Sequence, residues 1–131
     1  MSGFLGTYNV SLDDKGRFNV PAKFRAVLER EYGSHLVVTA MSHYLIVFPQ
    51  PEWEINRERL KGLDPFDKDD RDKKRKISSR AVECEIKSGK ILIPGTHRDI
   101  ADLDKEVVLV GSFESFEIWS RKKWDEIKDA E

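Results

Sequence analysis

Short segments in which apolar and polar residues alternate recur along the chain and predict β-strands. Tyr8–Leu12 alternates in this way, and Arg17–Val20 follows it as a return strand after a turn that contains Gly16. The other predicted strands are His35–Thr39, Tyr44–Phe48, Val82–Ile86, Lys90–Ile93, Val107–Val110 and Ser115–Trp119. Eight short strands in 131 residues indicate a mainly β fold.

Four short helices are predicted between these strands. Three of them begin at a proline, since the first turn of a helix loses nothing when an N–H is missing. The helix after Pro21 carries apolar residues at helical spacing and is expected to end at Gly33. The others are expected at Pro51, after Pro94, and after Ser120, whose hydroxyl suits a helix cap. The fold class is therefore α+β, mainly β with short helices.

The two ends of the chain repeat each other. Lys15–Pro21 reappears as Ser88–Pro94, each with a glycine and a cation before an apolar run that a proline closes. The following strands also match, and each copy has a Trp near its end, Trp53 or Trp124. Two copies are too few for a solenoid, so we expect one pseudo-symmetric domain. We assign the first repeat to 6–53, a connector to 54–80, the second repeat to 81–124, and a C-terminal helix end to 125–131.

The connector contains a charged segment, Asp67–Lys76, with acids at its start and bases at its end. This polarity favours a helix, and four acids each precede a base by four residues: Asp67 and Arg71, Asp69 and Lys73, Asp70 and Lys74, Asp72 and Lys76. No apolar residue occurs before Ile77, so a solvated helix is expected. An added role in phosphate contact stays open.

Composition excludes several classes of protein. With 39% hydrophobic and 36% charged residues, and no apolar run near the roughly 20 residues that span a bilayer, no membrane partner is expected. No secretion signal is apparent, and the single cysteine, Cys84, permits no intrachain disulfide, so a cytoplasmic location is expected. The net charge of −1 argues against indiscriminate coating of nucleic acid, although a local basic face would still attract it.

No catalytic pattern is present in the sequence. The three histidines show no metal-ligand spacing with one another or with Cys84, which is interpreted as a small core residue. Nucleotide-binding and nucleophile motifs are missing as well. We therefore expect no enzyme activity, no cofactor, no metal and no small-molecule substrate.

The first turn and the segment after it resemble the signature of the MraZ family. An acid and an arginine four residues apart, Asp13 and Arg17, lead into a strand and then into the segment Pro-Ala-Lys-Phe-Arg at 21–25. Further similar segments occur in the same order: Phe48-Pro49-x-x-x-Trp53, Leu103–Gly111 and Phe116–Trp119.

This resemblance implies a fold and a function. MraZ proteins are bacterial transcriptional regulators of the division and cell-wall gene cluster, built from two AbrB/SpoVT-like repeats interlocked into a swapped-hairpin β-barrel. Their subunits form homo-oligomeric rings that bind direct repeats in double-stranded promoter DNA, which implies association with the nucleoid. The same fold and partners are expected here. An alternative stays open: a ring-forming scaffold for protein partners that has no specific DNA binding.

The resemblance also implies a set of site residues. Cations near the two turns are expected to contact DNA, and other motif residues are expected to shape the turns. The cations are Lys15, Arg17, Lys23, Arg25, Lys87 and Lys90. The shaping residues are Asp13, Gly16, Pro21, Gly89 and Pro94. For Asp13 and Arg17, a purely structural ion pair is the competing interpretation.

The second copy departs from the family pattern. Ile86 stands where the acid is expected, Lys90 replaces the arginine, and the nearest acid, Glu85, is one residue away. We expect the second turn to be one residue shorter or to lack its ion pair, and its cations to contact phosphates rather than bases.

Overall fold

The computed structural model describes residues 3–129. Its strands are β1 (Thr7–Ser11), β2 (Arg17–Asn19), β3 (His35–Ala40), β4 (Leu45–Pro49), β5 (Val82–Glu85), β6 (Lys90–Leu92), β7 (Glu106–Gly111) and β8 (Phe116–Ser120). Its helices are α1 (Ala22–Val27), α2 (Gln50–Lys61), α3 (Lys68–Ser79), α4 (Gly95–Ile100) and α5 (Arg121–Ile127). A π-helical turn, Leu28–Tyr32, extends α1. Every predicted strand is confirmed to within one residue at each end. None of the helices in this part of the chain has the length and apolar character needed to cross a membrane.

Strands from both halves of the chain form one six-stranded antiparallel sheet of order β1-β7-β8-β4-β3-β5. β2 and β6 pair separately as a two-stranded antiparallel ribbon. The sheet order is unchanged when each strand is exchanged for its equivalent in the other repeat. The mainly β fold with short helices and two interlocked repeats is confirmed. The sheet ends at β1 and β5, so residues 3–129 form an open sheet and no closed barrel.

The two strands of each predicted hairpin, β1 with β2 and β5 with β6, do not pair with each other beyond the turn. The turn after β1 has the hairpin contact from the Asp13 N–H to the Arg17 carbonyl, at 2.8 Å. β1 nevertheless pairs with β7, and β2 leaves the sheet to pair with β6. In the same way, β5 pairs with β3 of the first half. Each half therefore completes the sheet of the other.

The core lies between one face of the sheet and the ribbon. The ribbon and the residues that follow it contribute Phe18, Val20, Ile91 and Ile93, all at most 2% exposed. An aromatic cluster fills the space beside them: the ring of Phe24 lies 5.0 to 5.1 Å from those of Phe4, Tyr8 and Phe116. These contacts anchor α1, which follows the ribbon strand β2, to the core.

Helices α2, α3 and α5 cover the opposite face of the sheet. Trp53 of α2 packs on Phe48 of β4, with ring centroids 5.7 Å apart, and Trp124 of α5 packs on Trp119 of β8 at 5.9 Å. The two repeated tryptophans thus occupy equivalent positions, as the sequence predicted. The hydroxyl of Thr39 in β3 donates to the carbonyl of Ile77 in α3, at 2.8 Å.

The charged connector forms a helix, but its predicted ion pairs do not form. Asp67 caps α3 by accepting the N–H of Asp70, and the Asp70 carboxylate accepts the N–H of Asp64. Asp72 pairs instead with Lys68 and Arg75, at 3.1 and 3.0 Å. Asp67 thus satisfies a free N–H at the helix start, and Asp70 binds the chain before the helix, instead of pairing with Arg71 and Lys74. No side chain of α3 is fully buried, as expected for a solvated helix.

Replacing Phe24 tests the aromatic cluster. Phe24→Ala removes a side chain that is 1% exposed, and we expect it to lower the free energy of unfolding by about 3 to 5 kcal/mol. Phe66→Ala is the matched control, because Phe66 is 94% exposed and its loss should change stability by at most about 0.5 kcal/mol. Urea unfolding followed by tryptophan fluorescence measures both. Similar costs for the two variants would contradict the packing described here.

Candidate nucleic-acid interface

The first turn lies between β1 and β2 and has three residues, 14–16, between Asp13 and Arg17. The Gly16 N–H donates to the Asp13 carbonyl at 3.0 Å, and the chain then crosses to Arg17. Gly16 has φ of 86°, in the left-handed region that glycine adopts without steric cost. This backbone places Lys15 at the exposed tip of the turn.

The Asp13 carboxylate organises this turn. One oxygen accepts the backbone N–H groups of Lys15 and Arg17, at 3.0 and 2.9 Å, and the other accepts Nε of Arg17 at 2.9 Å. The Arg17 N–H is the main cause that lowers the pKa of Asp13 to about 2, although partial burial opposes it and the Arg17 guanidinium assists. Asp13 thus holds the turn and orients Arg17. The two terminal nitrogens of Arg17 have no hydrogen-bond partner among residues 3–129, so they are available to a ligand outside the chain.

The second turn is one residue shorter than the first. Lys87 and Lys90 exchange backbone hydrogen bonds at 3.0 and 2.9 Å around the two residues Ser88 and Gly89, which have φ of 51° and 74°. The acid-base pair of the first turn is missing as well. Glu85 accepts the Ser34 hydroxyl at 3.2 Å and lies 3.6 Å from Nε2 of His35. The second turn is thus both one residue shorter and without the ion pair, and neither lysine has an acidic partner within the described chain.

Alternation along the β2–β6 ribbon separates a buried face from an outward one. Phe18 and Ile91 face each other and point into the core. The outward positions are the pairs Arg17 with Leu92 and Asn19 with Lys90. Arg17 and Lys90, two of the predicted cations, thus lie at diagonal corners of one outward face and are related by the pseudo-two-fold axis. Leu92 is 50% exposed and Asn19 is exposed, so this face lacks a protein cover.

Each turn is bound to the other half of the chain. The Ile93 N–H donates to the Gly16 carbonyl, and the Val20 N–H donates to the Gly89 carbonyl, both at 2.9 Å. These two equivalent hydrogen bonds seat both turns at the ends of the ribbon. The cations of the turns and of the ribbon therefore belong to one surface.

Two arginines flank the turns, and the sequence interpretation included one of them. Arg25 lies beside the second turn, with a terminal nitrogen 3.2 Å from the position that a Cβ on Gly89 would take. Arg98 occupies the equivalent place beside Gly16 and donates from Nε to the Ile93 carbonyl at 3.2 Å. The missed signal was spacing: each arginine comes four residues after a proline, Pro21 or Pro94.

The remaining predicted residues lie at the starts of the two helices that follow the ribbon. Pro21 and Pro94 are the N-cap residues of α1 and α4, and their carbonyls accept the N–H groups of Arg25 and Arg98, at 2.9 and 3.0 Å. Lys23 is exposed on α1 and makes no ion pair with any described residue.

Cys84 and the histidines provide no second site. Burial raises the pKa of the Cys84 thiol to about 11, so it is protonated at neutral pH, and the side chain packs partly buried against the core. In residues 3–129, His, Cys, Asp and Glu side chains form no group of three or more suited to holding a metal ion.

Comparison with known proteins identifies the family of the chain. The family described as "MraZ protein, putative antitoxin-like" matches the chain twice, over residues 4–76 and 77–131. The chain belongs to the MraZ family. The double match also supports the two-repeat interpretation, because each MraZ match contains one ribbon strand followed directly by a proline-capped helix, α1 or α4.

Individual MraZ relatives are similar over most of their length. The protein named "Transcriptional regulator MraZ" from Lachnoclostridium phytofermentans is 44% identical over 124 residues, which cover 93% of this chain and 84% of the relative. The protein of the same name from Nitrosomonas eutropha is 43% identical over the same shares. That from Yersinia pestis is 39% identical over 96% of this chain and 86% of its own. Membership of the MraZ family supports a role in regulating transcription.

Alanine at the two turn glycines should have unequal effects. Both positions are left-handed, which costs about 1 to 2 kcal/mol for a residue with a Cβ. At Gly16 that Cβ would also lie 2.8 Å from Nε of Arg98 and 3.0 Å from the Ile93 carbonyl oxygen. At Gly89 it would meet only the flexible end of Arg25, at 3.2 Å. Thermal unfolding should show a greater loss for Gly16→Ala than for Gly89→Ala; equal losses would contradict this geometry.

The pKa of Asp13 can be tested directly by NMR titration of its carboxyl carbon. We expect a midpoint at about 2, against an ordinary 3.8. In Arg17→Ala the midpoint should stay below 3.8, because the backbone N–H of residue 17 is the main cause and survives the substitution. A midpoint at the ordinary value in the wild type would contradict the carboxylate contacts.

The same shift predicts a pH dependence of stability. A carboxyl whose pKa is lowered by folding stabilises the folded state above its unfolded pKa, and this stabilisation is lost as pH falls through the folded pKa. The difference in unfolding free energy between wild type and Asp13→Asn should therefore be constant at neutral pH and shrink between pH 3.8 and about 2. Urea unfolding at a series of pH values measures this difference.

Proposed function

We propose that the chain is a sequence-specific DNA-binding transcriptional regulator and that the outward face of the β2–β6 ribbon is its main contact surface. One observation carries the proposal: Arg17 and Lys90 stand on the same uncovered face, and Asp13 holds Arg17 with its terminal nitrogens free. The relatives' shared name supports a regulatory role.

The dimensions and side chains of the ribbon suit the major groove of DNA. That groove admits a two-stranded β-ribbon, and an arginine there can donate to both O6 and N7 of guanine. Arg17 has the rigid fork that this contact requires, and its Asp13 partner reduces the rotamer freedom lost on binding. Asn19 can pair with adenine in the same groove, and Leu92 can contact a thymine methyl group.

The other cations suit the phosphates at the groove edges. Lys15 and Lys87 extend from the two turns, and Lys90 is a flexible point charge without an acidic partner among the described residues. Arg25 and Arg98 flank the turns on the helix side. Lys23, exposed on α1, adds charge beside them. Phosphate contacts of this kind fix the position of a protein on the duplex, whereas the base contacts select sequence.

The two corners of the ribbon differ, which favours a DNA site without internal symmetry. Arg17 suits base recognition and Lys90 suits a phosphate, so rotating the ribbon by half a turn would not give equivalent contacts. A ring of identical subunits would present this asymmetric face at regular intervals, and direct repeats in a promoter would match it. In line with the family resemblance, we propose homo-oligomeric ring assembly, association with the nucleoid, and the division and cell-wall gene cluster as target.

A DNA titration tests this function. The probe is the duplex upstream of the chain's own gene, with scrambled duplex as competitor, at two salt concentrations. Arg17→Ala should lose roughly 1 to 3 kcal/mol of preference for the promoter over scrambled DNA. Lys90→Ala should weaken both complexes alike and reduce the salt slope by about 0.9, since a phosphate contact carries no sequence information. Arg57→Ala, on the opposite face of the sheet, is the control and should change neither preference nor slope.

The alternative hypothesis of a ring-forming scaffold predicts a different result. A wild-type protein that remains an intact oligomer by light scattering but shows no preference for the promoter would contradict the regulator proposal. Protein partners would then be the subject of the search.

A further inference from the structure

Helix α3 carries a second concentration of positive charge outside the ribbon surface. From residue 71 to residue 80 the chain has six cations, Arg71, Lys73, Lys74, Arg75, Lys76 and Arg80, against one acid, Asp72. Arg71, Lys74, Arg75 and Ser78 follow one another at helical spacing and line an open depression of about 260 Å³. We call these four residues the α3 basic face.

Most of this charge is not neutralised within the protein. Asp72 pairs with Arg75 and Lys68, whereas Arg71 and Lys74 have no ion pair with any described residue. Two of the acids before the basic face are engaged in backbone hydrogen bonds at the start of the helix, where Asp67 caps it and Asp70 accepts the Asp64 N–H. The resulting field at the C-terminal half of α3 is positive and favours an anionic partner.

The chemistry of the α3 basic face favours phosphates over a protein surface. Protein interfaces depend on aromatic and apolar anchors and are depleted in lysine at their centre. The face has arginine, lysine and a hydroxyl, and none of its members is apolar. Arginine, lysine and serine side chains are the usual contacts to DNA phosphate oxygens.

The location of the α3 basic face separates it from the ribbon. The ribbon packs on the sheet face formed by Leu36 and Val38, whereas α3 lies on the other face, where Thr39 bonds to the Ile77 carbonyl. A straight duplex lying along the ribbon would therefore not reach α3. A polyanion bound at the α3 basic face is therefore a separate segment from the one bound at the ribbon.

We propose that the α3 basic face binds the phosphate backbone of a second segment of double-stranded DNA without regard to sequence. A protomer could then hold an operator at its ribbon and a neighbouring or distant segment at α3. The second contact adds to the proposed function, but it is a separate surface and can be tested with the ribbon disabled.

The experiment uses the full chain in a ribbon-disabled background, Arg17→Ala with Lys90→Ala, and a scrambled duplex as probe. The test variant adds Arg71→Gln, Lys74→Gln and Arg75→Gln. The control variant adds Arg57→Gln, Lys61→Gln and Lys122→Gln instead, which removes the same charge from exposed positions of α2 and α5. A third variant, Arg71→Lys with Arg75→Lys, keeps the charge of the face. Because no side chain of α3 is fully buried, all should fold, which circular dichroism and light scattering verify.

We expect the ribbon-disabled protein to bind the scrambled duplex with a strong dependence on salt. The test variant should lose about 0.9 in salt slope for each phosphate contact removed, or two to three in all, and bind at least tenfold more weakly. The control variant and the lysine variant should keep the slope of their parent.

Two results would overturn the inference: no binding by the ribbon-disabled protein, or equal losses in the test and control variants. The experiment distinguishes failure of the α3 proposal from failure of the ribbon proposal. If the promoter is preferred and α3 proves inert, the proposed regulator stands without a second surface. Loss of binding confined to the test variant, in a protein that shows no promoter preference, would support the α3 surface and reject the ribbon as a reader of sequence.

Discussion

The architecture of this protein depends on two backbone hydrogen bonds that cross between its halves. The Ile93 N–H binds the carbonyl of Gly16, and the Val20 N–H binds the carbonyl of Gly89. Together with the β2–β6 pairing, they hold both turns against one ribbon, and Arg25 and Arg98 pack over the turn glycines. A surface that combines cations from residues 15 to 98 exists because of this exchange. Within a single half the same residues would belong to an isolated hairpin, which is marginally stable in water.

The local structure was predictable because local interactions decide it. Alternation located all eight strands, and the glycines and prolines located the turns and helix starts. The partner of each strand was not predictable from residues alone, since a turn such as 13–17 is equally compatible with a hairpin and with a strand that leaves the sheet. The swapped arrangement came from the family resemblance. The barrel expected with it is not closed, because no strand joins β1 to β5 in residues 3–129.

The site was predicted incompletely for similar reasons. Asp13, Arg17 and the shorter second turn follow from spacing within a few residues. Arg98 was missed because the segment between it and Pro94 has diverged from its counterpart in the first repeat. The predicted pair of Asp67 with Arg71 is wrong because helical spacing ignores the demand of a helix start for acceptors, which Asp67 meets, and Asp72 pairs with Lys68 and Arg75 instead of Lys76. Divergence has a structural use at His97, which replaces Phe24 of the first repeat: it is 2% exposed and donates from Nε2 to the Arg80 carbonyl at 2.6 Å. This hydrogen bond joins the last residue of the connector, Arg80, to helix α4.

The pairing of β1 with β7 has a consequence for synthesis on the ribosome. Thr7 pairs with Val110, so β1 has no partner strand until 103 further residues have been made. At ordinary rates of translation this takes roughly 5 to 20 s. Collapse of a chain this size takes microseconds, so the first half has seconds in which to find another partner. In the second half, the equivalent of β1 is β5, which pairs with β3. Because β3 is the first-half equivalent of β7, a β3 strand from another chain resembles the partner that β1 lacks. The first half of a neighbouring nascent chain carries a strand equivalent to the missing β7 and can therefore compete for β1 until residue 110 has been made.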